Sequence, residues 1–154
     1  MLQEEVQEVD DIRGLTSIYL SYIDYAWNPE KKSFRNFMSY ERRWLEDEGS
    51  ADSTGRALWA LGYTAARTNL GNFYRHADQL FKTALQYSDT IVQPRPLSYL
   101  ILGLAEYVRF HRDPALLDLL ADKTRTLLSF FEARLETDWP WCEELVTYGN
   151  SRIP

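Results

Sequence analysis

Three observations predict an all-α fold of antiparallel helical hairpins for this sequence. Apolar residues recur at three- and four-residue steps over most of its length. Pro together with Asp, Ser or Asn divides those stretches. Segments apolar on every side alternate with segments apolar on one side only, the pattern of an inner and an outer layer of helices.

The first helix is expected over 4–27, where Val6, Val9, Ile12, Leu15, Ile18/Tyr19, Tyr22 and Ala26 form a stripe. Asn28-Pro29 ends it, because Pro lacks an N–H and restrains the residue before it. Residues 30–51 have no clean period; Phe34, Phe37, Met38, Tyr40 and Trp44 precede the acidic run Glu46-Asp47-Glu48. A connection of that length in a small domain is often functional. The second helix, 53–68, starts at Asp52-Ser53, either of which is suited to cap it, and is small or apolar nearly all round. The third, 70–92, is one-sided, with Phe73, Ala77, Leu80, Phe81, Ala84, Leu85 and Ile91 inward. Pro94 and Pro96 open the fourth, 96–111, again apolar on most sides. Asp113-Pro114 opens the fifth, 114–136, with Asp as cap and Pro in the first turn. Its expected stripe is Leu117, Leu120, Thr124, Leu127/Leu128, Phe131 and Leu135, with Lys123 among the residues opposite.

A weak internal echo supports the layering. Leu61-Gly62 recurs as Leu102-Gly103 and Ala77-Asp78 as Ala121-Asp122, at spacings of 41 and 44 residues, about one hairpin with its loops. A solenoid and an (α/α) toroid both fit this repeat.

Composition narrows the function classes. The 154 residues are 45% hydrophobic, ample for one domain with a packed core. The net charge of −6, without a basic stripe, argues against nucleic acid and against an anionic membrane surface as partners. The longest apolar run, near 97–108, is broken by Ser98, Gly103 and Glu106 and is too short for a membrane span. The lone Cys142 forms no internal disulfide and no multi-cysteine zinc site, and Glu4-Glu5 stand where a signal peptide would be basic. A cytoplasmic protein is expected.

Two constellations carry chemistry. In 39–59, carboxylates, arginines and tryptophans lead into the second helix; Trp44 or Trp59 would stack on a sugar ring while Asp52 and Arg56 hold its hydroxyls. The alternative is a capped helix start with a solvated acidic run. In 138–152, Asp138, Trp139, Trp141, Glu143, Tyr148, Asn150 and Arg152 crowd a short stretch stiffened by Pro140. This suits a rigid aromatic platform beside hydrogen-bonding groups, or else a plug closing the end of the helical layers. Paired carboxylates serve glycoside hydrolysis, but too many are present to assign a catalytic pair. His76 and His111 read as solvated and Cys142 as structural. No phosphate loop, dinucleotide fingerprint or zincin motif occurs, so no cofactor or metal is expected.

With these motifs in hand, the chain resembles a bacterial family of (α/α)-toroid proteins commonly labelled glycosyltransferase or glycosyltransferase-associated. The likeness is carried by 34–50, by Asp52-Ser53 with 55–62, by Asp138-Trp-Pro-Trp141, and by Leu145-Val-Thr-Tyr148 with Asn150, Arg152 and Pro154. It implies a single helical-hairpin domain over 1–154 within a larger toroid, a fold shared with six-hairpin glycosidases and sugar epimerases. It also implies a role in polysaccharide or glycoconjugate metabolism. Ala51 and Thr54 stand where that family tends to carry Glu and His, and Gly149 where it tends to carry Asp, so sugar binding without turnover is expected. The expected partners are a sugar or oligosaccharide, and either a second copy of the chain or the remainder of a longer one. The competing reading is a non-catalytic helical scaffold for another protein, such as a glycosyltransferase.

Overall fold

The computed structural model describes residues 2–67, 71–146 and 148–153, with side chains from residue 12 onward. The expected positions Val6, Val9, Thr68, Leu70, Thr147 and Pro154 therefore lie outside the described residues or side chains. The chain is predominantly helical: α1 (Leu2–Ala26), α2 (Ala51–Ala65), α3 (Asn72–Leu85), α4 (Pro94–His111) and α5 (Pro114–Glu132). Between α1 and α2 runs a two-residue antiparallel ladder, β1 (Trp27–Asn28) with β2 (Ser33–Phe34). None of the described helices is long and apolar enough to cross a membrane.

α2 and α4 run side by side and parallel. Gly55 lies on Pro96, Gly62 on Gly103, and the Ala65 carbonyl lies 3.3 Å from His111 Nε2. A β-carbon on Gly103 would sit 2.5 Å from the Leu58 carbonyl oxygen, and one on Gly62 would overlap the Gly103 backbone. The Leu-Gly echo is therefore the contact itself, two glycines letting two backbones touch. α3 is antiparallel to α4: Asp78 and Phe81 meet Tyr107, and Tyr74 meets His111. The layering follows the expected order at its extremes, since α4 buries eleven of its eighteen residues and α5 only two of nineteen.

Four expectations are corrected. First, α3 ends at Leu85 rather than near 92. A 3₁₀ turn at Ser88–Thr90 reverses the chain ahead of Pro94, yet Ile91 is still buried. Second, the inward face of α5 is Leu116, Leu119, Leu120, Lys123, Leu127 and Phe131, while Leu117, Leu128 and Leu135 are exposed. Lys123 is tolerated inside because Asp89 of the 3₁₀ turn takes its ammonium at 2.6 Å. Third, α1 packs through Leu20, Ile23 and Ala26, whereas Ile12, Leu15, Ile18 and Tyr19 of the expected stripe face solvent. Fourth, Ala77-Asp78 and Ala121-Asp122 are not equivalent: Ala77 is fully buried and Ala121 exposed.

The stretch after α1 is more ordered than its lack of period suggests. Asn28 Oδ1 accepts from the amides of Glu30 and Lys31 while its Nδ2 donates to the Asp47 carbonyl, the local bonding that makes Asn a turn residue. Glu46 accepts from the amides of Asn36 and Phe37, so the acidic run is partly a loop clasp. Ser50, not Asp52 or Ser53, caps α2: its side chain accepts from the Ser53 amide at 3.1 Å.

Candidate functional site

The N-terminal turns of the parallel helices α2 and α4 lie at the same end of the molecule, and the segment after α5 folds onto that end. Arg56, one turn into α2, donates through Nε to Asp52 Oδ2 at 2.8 Å and through Nη2 to the Tyr99 hydroxyl at 3.2 Å. Its guanidinium lies 4.9 Å from the Tyr99 ring centroid and 5.2 Å from that of Tyr148. Trp59, nearly one turn further on, stacks on Tyr99 at 5.7 Å with the rings 8° from parallel. Arg152 lies over the Trp59 ring at 5.0 Å. From α4, Arg95 is only 5% exposed; its Nη2 bonds Glu143 and Asn150 Oδ1, and its guanidinium covers Tyr148 at 4.9 Å. The result is a cation–aromatic cluster joining three segments far apart in sequence.

Its electrostatics follow from these pairings. Burial works against charge on Arg56, but the hydrogen bond and charge of Asp52 outweigh it and hold the guanidinium above its ordinary pKa. The almost fully buried Arg95 is paired with Glu143. Two polar atoms of the cluster are buried without a hydrogen-bond partner: Asp52 Oδ1, an acceptor, and Arg95 Nη1, a donor. Burial, then the neighbouring Glu143, pushes the Cys142 thiol up, which fits a buried, unreactive cysteine. Among the described residues, no three of His, Cys, Asp and Glu converge to hold a metal ion.

The expected site residues divide into five groups. Asp52, Arg56, Trp59, Glu143, Tyr148, Asn150 and Arg152 belong to the cluster. Trp139 is tied to its edge, donating from Nε1 to the Glu143 carbonyl at 2.8 Å. Trp141 instead packs edge-on against Phe131 of α5 at 6.0 Å; Asp138 is exposed. Trp44 sits apart with Tyr22, Tyr25 and Arg35, at ring distances of 5.7 Å and 5.2 Å from the two tyrosines. A hollow lined by Tyr22, Phe34, Arg35 and Ser53 runs from that second aromatic group to Arg56, which borders both.

Sequence reading missed Arg95 and Tyr99. The signal was an arginine set between Pro94 and Pro96 at the start of an otherwise apolar helix; a cation in such a place is retained only with partners. His111, read as solvated, is half-buried against the Tyr107 ring at 4.0 Å. The three positions at which ionisable residues were expected fall in two places. Ala51 and Thr54 line a hollow with Lys32 and Tyr87, and the Thr54 hydroxyl accepts from the Phe34 amide. Gly149 adopts φ +68° against the Tyr99 hydroxyl, where a β-carbon would overlap it.

The chain has no match among protein-family models, curated proteins or solved structures.

Proposed function

We propose that the cation–aromatic cluster is a carbohydrate-binding site, with α2 and α4 as inner helices of an (α/α) toroid whose cleft lies at their N-terminal ends. The observation that carries this reading is the convergence of 52–59, 95–99 and 143–152 on one end of the helical layer. Partly exposed rings (Trp59, Tyr148, Trp139) border the cluster and supply apolar surface for pyranose C–H groups, and Tyr148 is 60% exposed. The unpartnered acceptor on Asp52 and donor on Arg95 suit hydroxyl groups, which both donate and accept. Asp52 and Glu143 are each engaged by an arginine, which favours binding over turnover.

Titration of the pure protein with a panel of neutral and acidic oligosaccharides, read by tryptophan fluorescence and calorimetry, tests it. Binding should be abolished or weakened by Tyr148→Ala and Trp59→Ala, each by about two- to tenfold or more, the scale of a lost aromatic contact. No glycan binding at millimolar concentration would overturn the reading.

One observation favours the second reading, a scaffold for a protein partner such as a glycosyltransferase. α1 presents Ile12, Leu15, Ile18 and Tyr19 to solvent at helical spacing, with Ile18 65% exposed, and continuous apolar faces of this kind mark interfaces.

A further inference from the structure

Beside the cluster, α1, β2 and α2 enclose a hollow of about 190 Å³ lined by Tyr22, Ile23, Ala26, Phe34, Arg35, Asn36, Ser53, Arg56 and Ala57. Its walls are mainly apolar and aromatic, its charged residues are two arginines, and no carboxylate lines it. The polar atoms around it are unequally engaged. Ser53 Oγ bonds the carbonyls of Phe34 and Ser50, at 2.9 Å and 2.7 Å. The Tyr22 hydroxyl donates to the Asn36 carbonyl at 3.2 Å. Arg56 is compensated by Asp52. Arg35 is different: among the described residues it forms no ion pair, its guanidinium lies 5.7 Å from the Trp44 ring centroid, and its Nε is buried without a hydrogen-bond partner. The Trp44 indole N–H is likewise buried and unpartnered. An arginine without an ion pair in the wall of a mainly apolar hollow suits a ligand group carrying one negative charge.

We propose that this hollow is a subsite for the carboxylate-bearing ring of an acidic oligosaccharide, a uronic acid residue, with Arg35 holding the carboxylate and Tyr22 facing the ring. The inference rests on the carbohydrate reading above and narrows it to a substrate class. A planar guanidinium matches a carboxylate in geometry, and a single uncompensated cation matches a single negative charge better than a phosphate dianion. The volume is below the roughly 300–1,000 Å³ of sites that enclose a whole drug-sized ligand, so the hollow takes one ring and leaves the next outside it. Arg56 lines the hollow and also lies over Tyr99 and Tyr148, so the adjoining residue of the chain reaches the cation–aromatic cluster directly.

The test compares trigalacturonic acid, its methyl ester and neutral cellotriose by calorimetry and tryptophan fluorescence. The ester keeps the ring and removes the charge. The acid should bind at least about tenfold more tightly than the ester, as expected for a charge-assisted contact, and should weaken as salt rises from about 0.02 to 0.3 M. Arg35→Gln should erase the preference for the acid over the ester, and Arg35→Lys should restore part of it. Equal binding of acid and ester by the unsubstituted protein, which needs no variant to fold, overturns this inference and leaves the carbohydrate reading standing. Binding of none of the three, or of any wider glycan panel, overturns both.

Discussion

At the scale of single residues, buried polar groups are held by specific partners, and those partners are where stability is most exposed to mutation. Asp78 accepts from the Tyr107 hydroxyl at 2.6 Å and from Lys82 at 2.9 Å. Burial pushes the Asp78 carboxyl up, but the hydrogen bonds of Tyr107 and Lys82 and the charge of Lys82 outweigh it, so its pKa lies below the ordinary carboxylate value. Burial, then the same hydrogen bond, pushes the Tyr107 phenol well above its own ordinary value. Tyr107→Phe removes a hydrogen bond to a charged acceptor and should cost about 1.5–3 kcal/mol in denaturant unfolding. The pH dependence has a definite sign. A carboxylate with a depressed folded-state pKa stabilises above its unfolded pKa and loses that stabilisation as pH falls through the folded value. The stability gap between the wild-type chain and Asp78→Asn, present at pH 7, should therefore close as pH is lowered from about 4 towards 2. A gap that stays constant across that range would show that Asp78 acts through packing alone.

At the scale of elements, the parallel contact of α2 with α4 depends on missing side chains. Gly62→Ala and Gly103→Ala each place a β-carbon inside the backbone of the opposite helix, so the helices must separate. Overpacking costs about 1–3 kcal/mol where side chains can yield, and here the obstacle is backbone, so each variant should lose about 3 kcal/mol or more in urea unfolding. The double variant should lose less than the sum, because the first separation already makes room for the second methyl. Additive losses would mean that the two sites do not share one contact. The same helices explain how much of the candidate site was legible. Asp52, Arg56 and Trp59 lie on one face of a helix with a readable N-terminus, and the richness of 138–152 in aromatic and charged residues marked it as a site or a plug. In the structure Tyr148 and Arg152 join the cation–aromatic cluster while Trp141 packs against Phe131. Arg95 and Tyr99 were hidden inside an apolar helix, where pattern reading registers burial but not which buried groups face one another.

At the scale of the whole molecule, the tail covers the N-terminal end of the α2–α4 layer, but the middle of α2 stays open at Ala60 and Tyr63. The α1 stripe is open as well. If the scaffold reading holds, paired Leu15→Asp and Ile18→Asp substitutions should abolish association with the partner protein while leaving helical content and glycan binding unchanged. A chain that stays monomeric at every concentration in light scattering, and whose partners are indifferent to those substitutions, would remove α1 as an interface.

The all-α character, the punctuation at Pro29, Pro94 and Pro114, and the inner position of α4 were determined by the sequence itself, because they follow from local rules. Proline and capping residues act on their own hydrogen-bond ladder, and a helix apolar on nearly every side has no polar face to leave in water. Which of several apolar faces is used was decided only in the tertiary structure. α1 turned its most regular stripe outward, and α5 rotated to bring Lys123 inward to Asp89. Both outcomes depend on partners far along the chain, and burial of a face has a free energy only once the surface opposite it is in place. The pairing of Gly62 with Gly103, and of Arg95 with Glu143 and Asn150, is of the same kind: each is a contact between two residues, neither of which carries the information alone.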